Sequence, residues 1–400
     1  MTGKSTALIE EARHAALVVL QHNARGPCRN LPRTAGWGYP EPYTRDLMIA
    51  SFGILVSADA QLADGLRRVL VTLARNQSPH GHIPSLVHDP GDRGASDTTP
   101  LFLIALGLYR KAHGEPSFLE EAAQKALRWL TYQSPDDSGM VAQQPTSDWR
   151  DEHWVLGYGL FVNTLVYAAL QLHGERERAD ALRSLMNRLD VRGERRHPHV
   201  HEGLVVRHKP YYALWAHKVD NNERFDLLGN SLAVLFGIAS PSRAQHLVSW
   251  IEIECDALRE RGELVGDLPP CLFPYVRPED PDWRPRYERY NHPGHYHNGG
   301  IWPFVCGFYI AALVAAGRSR LAKQKLAALA ATVQPAREAS VAFGFNEWLR
   351  AQDGTPCGQD WQSWSASMYL YAETAVRRGE VPLLDAVRKT TSSCQASESA

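Results

Sequence analysis

Apolar residues return along this chain at helical spacing, not in alternation. Periods of three and four predict helices at about 4–22, 44–56, 59–76, 97–113, 117–133, 152–173, 177–188, 226–238, 242–260, 299–316, 319–333, 361–377 and 381–389. No series of Val/Ile/Thr-rich alternating runs competes with them. Two helices are apolar nearly all round: WVLGYGLFVNTLVYAALQL (154–172) and IWPFVCGFYIAALVAA (301–316). A membrane span needs about 20 apolar residues. The second stretch is too short, and the first carries Asn163, Gln171 and two glycines. Both read as helices buried within a larger helical array, whereas ADGLRRVLVTLARNQ (63–77) keeps a charged face for an outer position.

The helices pair through short links such as SADAQ and GRSRLA. Longer loops rich in Gly, Pro, His and Trp separate the pairs, for example 77–96, 134–150, 264–298 and 334–360. Alternately buried and amphipathic helices, twelve or so, predict an all-α fold: a six-fold α/α barrel whose long loops form a cleft at one end. Residues 1–390 are expected to form this one domain, and 391–400 a disordered tail. The loops are where function tends to sit.

Composition narrows the classes. The net charge of −1 suggests neither nucleic acid nor an anionic membrane as partner. Cysteines at 28, 255, 271, 306, 357 and 394 show no C-x-x-C spacing and fit reduced thiols in the cytoplasm. The start, MTGKSTALIEEARHAALVVLQHN, mixes charges into its apolar run and reads as an amphipathic helix, not a signal peptide. Its GKST lacks the upstream glycine of a phosphate loop.

Candidate chemistry concentrates in acid-bearing aromatic loops. FGFNEWL (343–349) sets Glu347 among three rings, where a partly desolvated carboxylate could take a proton from water; the alternative is a loop carboxylate paired with Arg350. PTSDWRDEHW (145–154) offers Asp148 as a partner acid, with Trp149 and Arg150 beside it as substrate contacts. The alternative there is a helix cap at Ser147 or Asp148, with Asp151 or Glu152 in the first turn. Two carboxylates flanking a sugar ring are the minimal apparatus for glycosidic cleavage. Trp37, Tyr43, Arg45 and Asp46 in GWGYPEPYTRDL, Asp97 in SDTTPLF, His297 and Asn298 in HYHNGGIWPF, and Gln362 and Trp364 in WQSWS stand near helix starts and suit a sugar site. His292, His295 and His297 lack an acidic or Cys ligand at matching spacing, so neither a metal nor a cofactor is expected.

YTRDL, SDWRDEHW, RFDLLGNSLAVLFGI, YHNGGIWP, FNEWL and WQSWSASMYLYA occur in an order that resembles the alkaline/neutral invertases and the related bacterial and archaeal proteins labelled amylo-α-1,6-glucosidase. The resemblance runs with gaps from about Trp37 to Tyr371. It implies a six-fold α/α barrel, inversion at the anomeric centre and no metal. It also implies Asp148 as general acid, Glu347 as general base and Arg45 with Asp46 as a sugar-binding pair. His297, Asn298, Gln362 and Trp364 would match further binding motifs. The expected activity is inverting hydrolysis of a short glucoside, sucrose or another small α-glucoside. Alternatives on the same barrel are an α-1,6-glucosidase and a glucosylglycerate-type hydrolase. More distant ones are a polysaccharide lyase and a non-catalytic sugar-binding protein. The expected partner is a small sugar, and homo-oligomerisation is left open.

Overall fold

The helices that read as apolar all round are the ones that turn inward. The computed structural model describes residues 3–135, 139–188, 190–191, 203–218, 220–338 and 340–388. The tail at 391–400 lies outside the described residues. In chain order the helices are α1 (Gly3–Asn23), α2 (Thr44–Ser57), α3 (Ala60–Asn76), α4 (Thr98–His113), α5 (Glu120–Tyr132), α6 (Leu160–Leu172), α7 (Arg176–Arg188), α8 (Leu227–Leu235), α9 (Pro241–Glu260), α10 (Tyr287–Tyr290), α11 (Pro303–Ala315), α12 (Ser319–Thr332), α13 (Ser363–Arg378) and α14 (Asp385–Arg388). Helices α2, α4, α6, α8, α11 and α13 each pack on the next, and α13 closes back on α2. Outside this ring, α1 packs on α13, α3 on α2, α5 on α4, α7 on α6 and α12 on α11. The Tyr309 hydroxyl of α11 donates to Glu252 of α9 (2.8 Å). The fold is the six-fold α/α barrel expected from the periodicity.

The ring closes tightly where α2 meets α13. A Cβ on Gly53 would come within 2.1 Å of the Ser367 carbonyl oxygen, so only glycine permits this approach. The Ser367 hydroxyl accepts from Gly53 N–H (2.9 Å) and donates to the Ala50 carbonyl (2.5 Å). Outer helices obey the one-sided rule. In α3, Leu62, Leu66, Val69, Leu70 and Leu73 are buried, and the Asp59 side chain caps the start by accepting from Gln61 and Leu62 N–H.

Inner helices α2, α4, α6, α8 and α11 each pass to the following outer one through a short link, such as 58–59, 173–175 and 316–318, and the outer partner of α13 is α1. Each inner helix is entered through a long link, such as 24–43, 77–97, 261–302 and 333–362. The inner helices therefore run parallel, and their N-termini all stand at the long-loop end. Buried asparagines fasten loops there. Asn163 accepts from Val141 N–H (2.9 Å) and donates to Val141 O (3.0 Å). Asn230 does the same to Tyr212 (2.9 and 3.0 Å), and Asn298 to Val276 (2.7 and 2.7 Å). Each amide imitates one residue of a strand, which satisfies loop backbone that water cannot reach.

Three expectations are corrected. Residues 152–159 are not the first turns of α6; they form a loop ending in a short strand, β1 (Tyr158–Gly159). Helix α11 starts at Pro303, not 299, because Pro suits the first turn and breaks the pattern before it. Strands also exist. β1, β2 (Ala213–His217), β3 (Asp220–Asp226) and β4 (Leu272–Phe273) make an antiparallel sheet in that order, and β5 (Trp348–Leu349) pairs with β6 (Pro356–Cys357). The strand DNNERFD carries almost no β signature; it is held by its neighbours, with Trp215 opposite Asn222 and Phe225 opposite Phe273.

Candidate active site

Long loops and the start of α2 meet at the barrel mouth. The Arg45 guanidinium reaches from α2 to α4, where Nε donates to Asp97 Oδ2 (2.5 Å) and Nη2 to Asp97 Oδ1 (3.1 Å). Nη2 also donates to the Asp148 carbonyl oxygen (2.9 Å). Asp97 is fully buried, so this fork neutralises its charge in place. One cation thus ties two inner helices to the 148 loop. Asp46 stands beside it in the first turn of α2. Burial raises the Asp46 carboxyl to about 7; Arg45 opposes the rise, while Glu347 and Asp151 add to it.

Glu347 belongs to a segment that lies alongside residues 359–362. Its N–H donates to Gln359 O (3.0 Å), and Gln362 N–H donates to Phe345 O (3.1 Å). Glu347 Oε2 accepts from Gln359 N–H (3.2 Å). Gly358, at φ +71, passes against the carboxylate; a Cβ there would meet Oε2 at 2.2 Å. Only 8% of Glu347 is exposed, and burial raises its carboxyl to about 7, with Gln359 N–H opposing and Asp151 adding. No pairing with Arg350 forms: that guanidinium lies 3.5 Å from Asp353.

Asp151 is open to solvent. Its carboxyl is still raised, chiefly because surrounding loops displace water, with Arg45 opposing. Tyr39 is pushed up to about 12, first by the charge of Glu347 and then by burial. Tyr296 is raised by burial and then by Asp151 and Glu347. Charges act this strongly only at short range, so Tyr39, Asp46, Asp151, Tyr296 and Glu347 lie near one another. Trp37, 54% exposed, lies 5.0 Å from the Trp361 ring and 5.5 Å from His22. Tyr43 is exposed beside Tyr39 (6.4 Å).

Other expected site residues sit behind this surface. Asp148 is 1% exposed; Oδ1 accepts from Arg150 N–H (2.7 Å) and Oδ2 from Gln143 Nε2 (3.2 Å). Asp148, the candidate partner acid, is thus enclosed by its own loop. Arg150 is fully buried, pairs with Asp226 and lies 3.8 Å from Asp148. Asp226 in turn caps α8 through Leu228 and Gly229 N–H (3.1 and 3.0 Å). Trp149 packs edge-on against His297, Trp302 and Phe304 at 5.1–5.4 Å. Buried His297 stacks on Tyr296 (4.0 Å), and burial holds its imidazole well below its usual value. Asn298 spends its amide on Val276 and Asn291 (2.9 Å to the latter). Trp364 stacks on Phe304 (4.2 Å), and Gln362 is buried with Oε1 unpartnered. Asp97 supports Arg45 and makes no side-chain cap bond. Among the described residues no three His, Cys, Asp or Glu side chains gather closely enough to hold a metal ion.

This geometry can be set beside known proteins. Residues 183–378 match the family model described as alkaline and neutral invertase. The chain is similar to the alkaline and neutral invertases. Cytosolic invertase 1 of Oryza sativa subsp. japonica is 27% identical over 160 residues, 38% of this chain and 25% of that protein. Probable alkaline/neutral invertase D of Arabidopsis thaliana is 28% identical over 160 residues, 38% of this chain and 26% of that one. The match thus spans about a quarter of these relatives' length. Solved structures extend the likeness of fold. A mannosylglycerate hydrolase from Thermus thermophilus, in complex with Tris and D-glycerate, superposes with TM-score 0.62 at 17% identity, over 90% of this chain and 99% of that one. A bacterial glucoamylase complexed with acarbose gives 0.64 at 14% identity, over 94% and 57%. The invertase match includes Glu347 but stops short of Asp46 and Asp151, which the structure alone brings to it. Nothing local in SDWRDEH marks Asp151 above Asp148.

Proposed function

We propose that this chain is an inverting glycoside hydrolase, with Asp151 as general acid in place of Asp148 and Glu347 as general base. One observation supports the reading: two carboxyls from distant segments, Asp151 and Glu347, lie close enough to each other, to Asp46 and to Tyr296 for their charges to act on one another, and Glu347 acts on Tyr39 as well. Glu347 ionises near neutrality and then accepts a proton from water attacking the anomeric carbon. Asp151 gives its proton to the departing glycosidic oxygen. In the free site Asp151 is wetter than Glu347. A sugar seated on it expels that water and raises its carboxyl further, as an acid requires. Asp46 and Tyr39 supply acceptors and donors for ring hydroxyls, and Trp37 a flat face. Inversion requires the two carboxyls to stand about 6.5–9.5 Å apart, with room for water between them.

The substrate we infer is a neutral short glucoside, sucrose or another small α-glucoside, in a cytoplasmic setting. The relatives are invertases by name. An anionic aglycone such as a glycerate would need a free cation, whereas Arg45 is committed to Asp97. Proton NMR of hydrolysis of sucrose, isomaltose, trehalose and glucosylglycerate tests both points. The expected result is turnover of a neutral substrate with β-glucose released first. Release of α-glucose would overturn inversion, and turnover of glucosylglycerate alone would overturn the neutral preference.

A further inference from the structure

The loop that carries Asp151 is gripped on its N-terminal side and open at Asp151 itself. Ser96 N–H, just ahead of α4, donates to Ser147 O (2.7 Å), and the Ser96 hydroxyl donates to Ser147 Oγ (3.1 Å). Arg45 of α2 donates through Nη2 to Asp148 O (2.9 Å). Arg150 pairs with Asp226, which caps α8. Three inner helices thus hold residues 147, 148 and 150, and the next side chain is the exposed one. The Arg45 anchor also reaches Asp151 through its charge.

We propose that Asp97 is a positioning residue for the reaction: by holding the Arg45 guanidinium in a two-point fork it fixes the Asp148 backbone, and with it the reach of Asp151, and it keeps that cation from pairing with Asp151. The inference rests on the reading of Asp151 as general acid. Asp97 is fully buried, whereas the Arg45 side chain is 17% exposed. Nε and Nη2 meet the two carboxylate oxygens of Asp97 (2.5 and 3.1 Å), and this fork leaves Nη2 in reach of Asp148 O. An amide at position 97 could accept only one of these bonds and would turn a donor toward the other. Burial works against the Arg45 charge; Asp97 chiefly sustains it, with Asp151 and Asp46 adding. Three carboxylates therefore lie in the field of one guanidinium, and Asp97 takes its hydrogen bonds.

The surroundings of Asp151 set the direction of the effect. Burial raises its carboxyl; Arg45 of α2 opposes, and Glu152, Asp148 and Asp97 add to the rise. Asp46, Tyr296, Glu347 and Arg286 feel the Asp151 charge in turn, and Arg286 is paired with Glu152. Neutralising Asp97 removes a like charge and releases an opposite one. Both changes favour ionised Asp151, which has no proton to give the leaving group.

The test compares two substrates in one preparation of the full chain. One is whichever of sucrose, isomaltose and trehalose is turned over fastest; the other is α-glucosyl fluoride, whose leaving group needs no proton. Their kcat ratio does not depend on the folded fraction. Asp97→Asn should lower the glucoside-to-fluoride ratio about tenfold or more near neutral pH. The basic limb of kcat/KM on the glucoside should move down by about one pH unit or more, and the fluoride should show no such limb. Arg45→Lys, which keeps the charge but cannot form the fork, should lower the ratio too. Combining Asp97→Asn with Asp151→Asn should lower it no further than Asp151→Asn alone. Equal loss on both substrates with the limb unmoved would overturn the proposal, leaving Asp97 a structural ion pair. A raised KM for the fluoride in Arg45→Lys at unchanged ratio would also overturn it, making Arg45 a sugar contact. If Asp151→Asn lowers the ratio and Asp97→Asn does not, only the positioning role is lost. If Asp151→Asn itself leaves the ratio unchanged, the acid reading falls and this inference with it.

Discussion

Asp148 and Asp151 lie three positions apart in one loop and have opposite environments. Asp148 is enclosed, its oxygens taken by Arg150 N–H and the Gln143 amide, with the Arg150 guanidinium 3.8 Å away and itself paired with Asp226. Asp151 is open, and its charge is felt at Glu347, Asp46 and Tyr296. A carboxylate whose oxygens are already satisfied organises a loop; one left wet can exchange protons with a substrate. Acidic character and a neighbouring tryptophan therefore do not identify a catalytic acid.

The largest effect should come from Glu347→Gln. Turnover should fall about 10³–10⁴-fold with melting temperature kept, by rate and calorimetry; an active variant would remove Glu347 from the chemistry. Next come the two aspartates. Asp151→Asn should lose about 10²–10⁴-fold on a natural glucoside but much less on α-glucosyl fluoride, whose leaving group needs no proton. If fluoride hydrolysis rescues Glu347→Gln instead, the two roles are exchanged. Asp148→Asn should cost about 1–3 kcal/mol of stability and leave turnover per folded molecule nearly unchanged. Full catalytic loss without loss of stability would return the acid role to Asp148.

A smaller effect is expected from pH. Glu347 and Asp46 carry carboxyls raised to about 7, above the ordinary values of 4.5 and 3.8. Protonation of both favours the folded state. Their contribution is complete below about pH 4 and is lost as pH rises through about 7. Activity should move the other way, rising through about 7 as Glu347 ionises. Glu347→Gln should abolish that acidic limb in residual turnover and reduce the slope of the melting-temperature profile between about pH 4 and pH 8, Asp46 keeping its share. Smallest is Trp37→Ala: KM should rise about 3–10-fold with kcat unchanged, the worth of one aromatic face.

Much of the barrel was legible. The all-round apolar stretches became α6 and α11 of the inner ring, and the one-sided 63–77 stretch became the outer α3. The β2–β3 hairpin was not, because Asn221, Asn222 and Arg224 earn their extended shape from Trp215 and Asp282 across the sheet and loop. In the site, Glu347, Arg45 and Asp46 stood out by their aromatic or helix-start settings and do meet at the mouth. Trp149, Asn298 and Trp364 had equally suggestive settings and are buried.

What the chain by itself determined is the ring of helices and the end at which its loops collect. Both follow from which faces are apolar and how long each connection is, and those are properties of neighbours in sequence. Which of the two acids stands exposed was decided only in three dimensions. Solvent reaches a carboxylate or not according to how the folded loops lie over it: Gln143 against Asp148, Gly358 against Glu347.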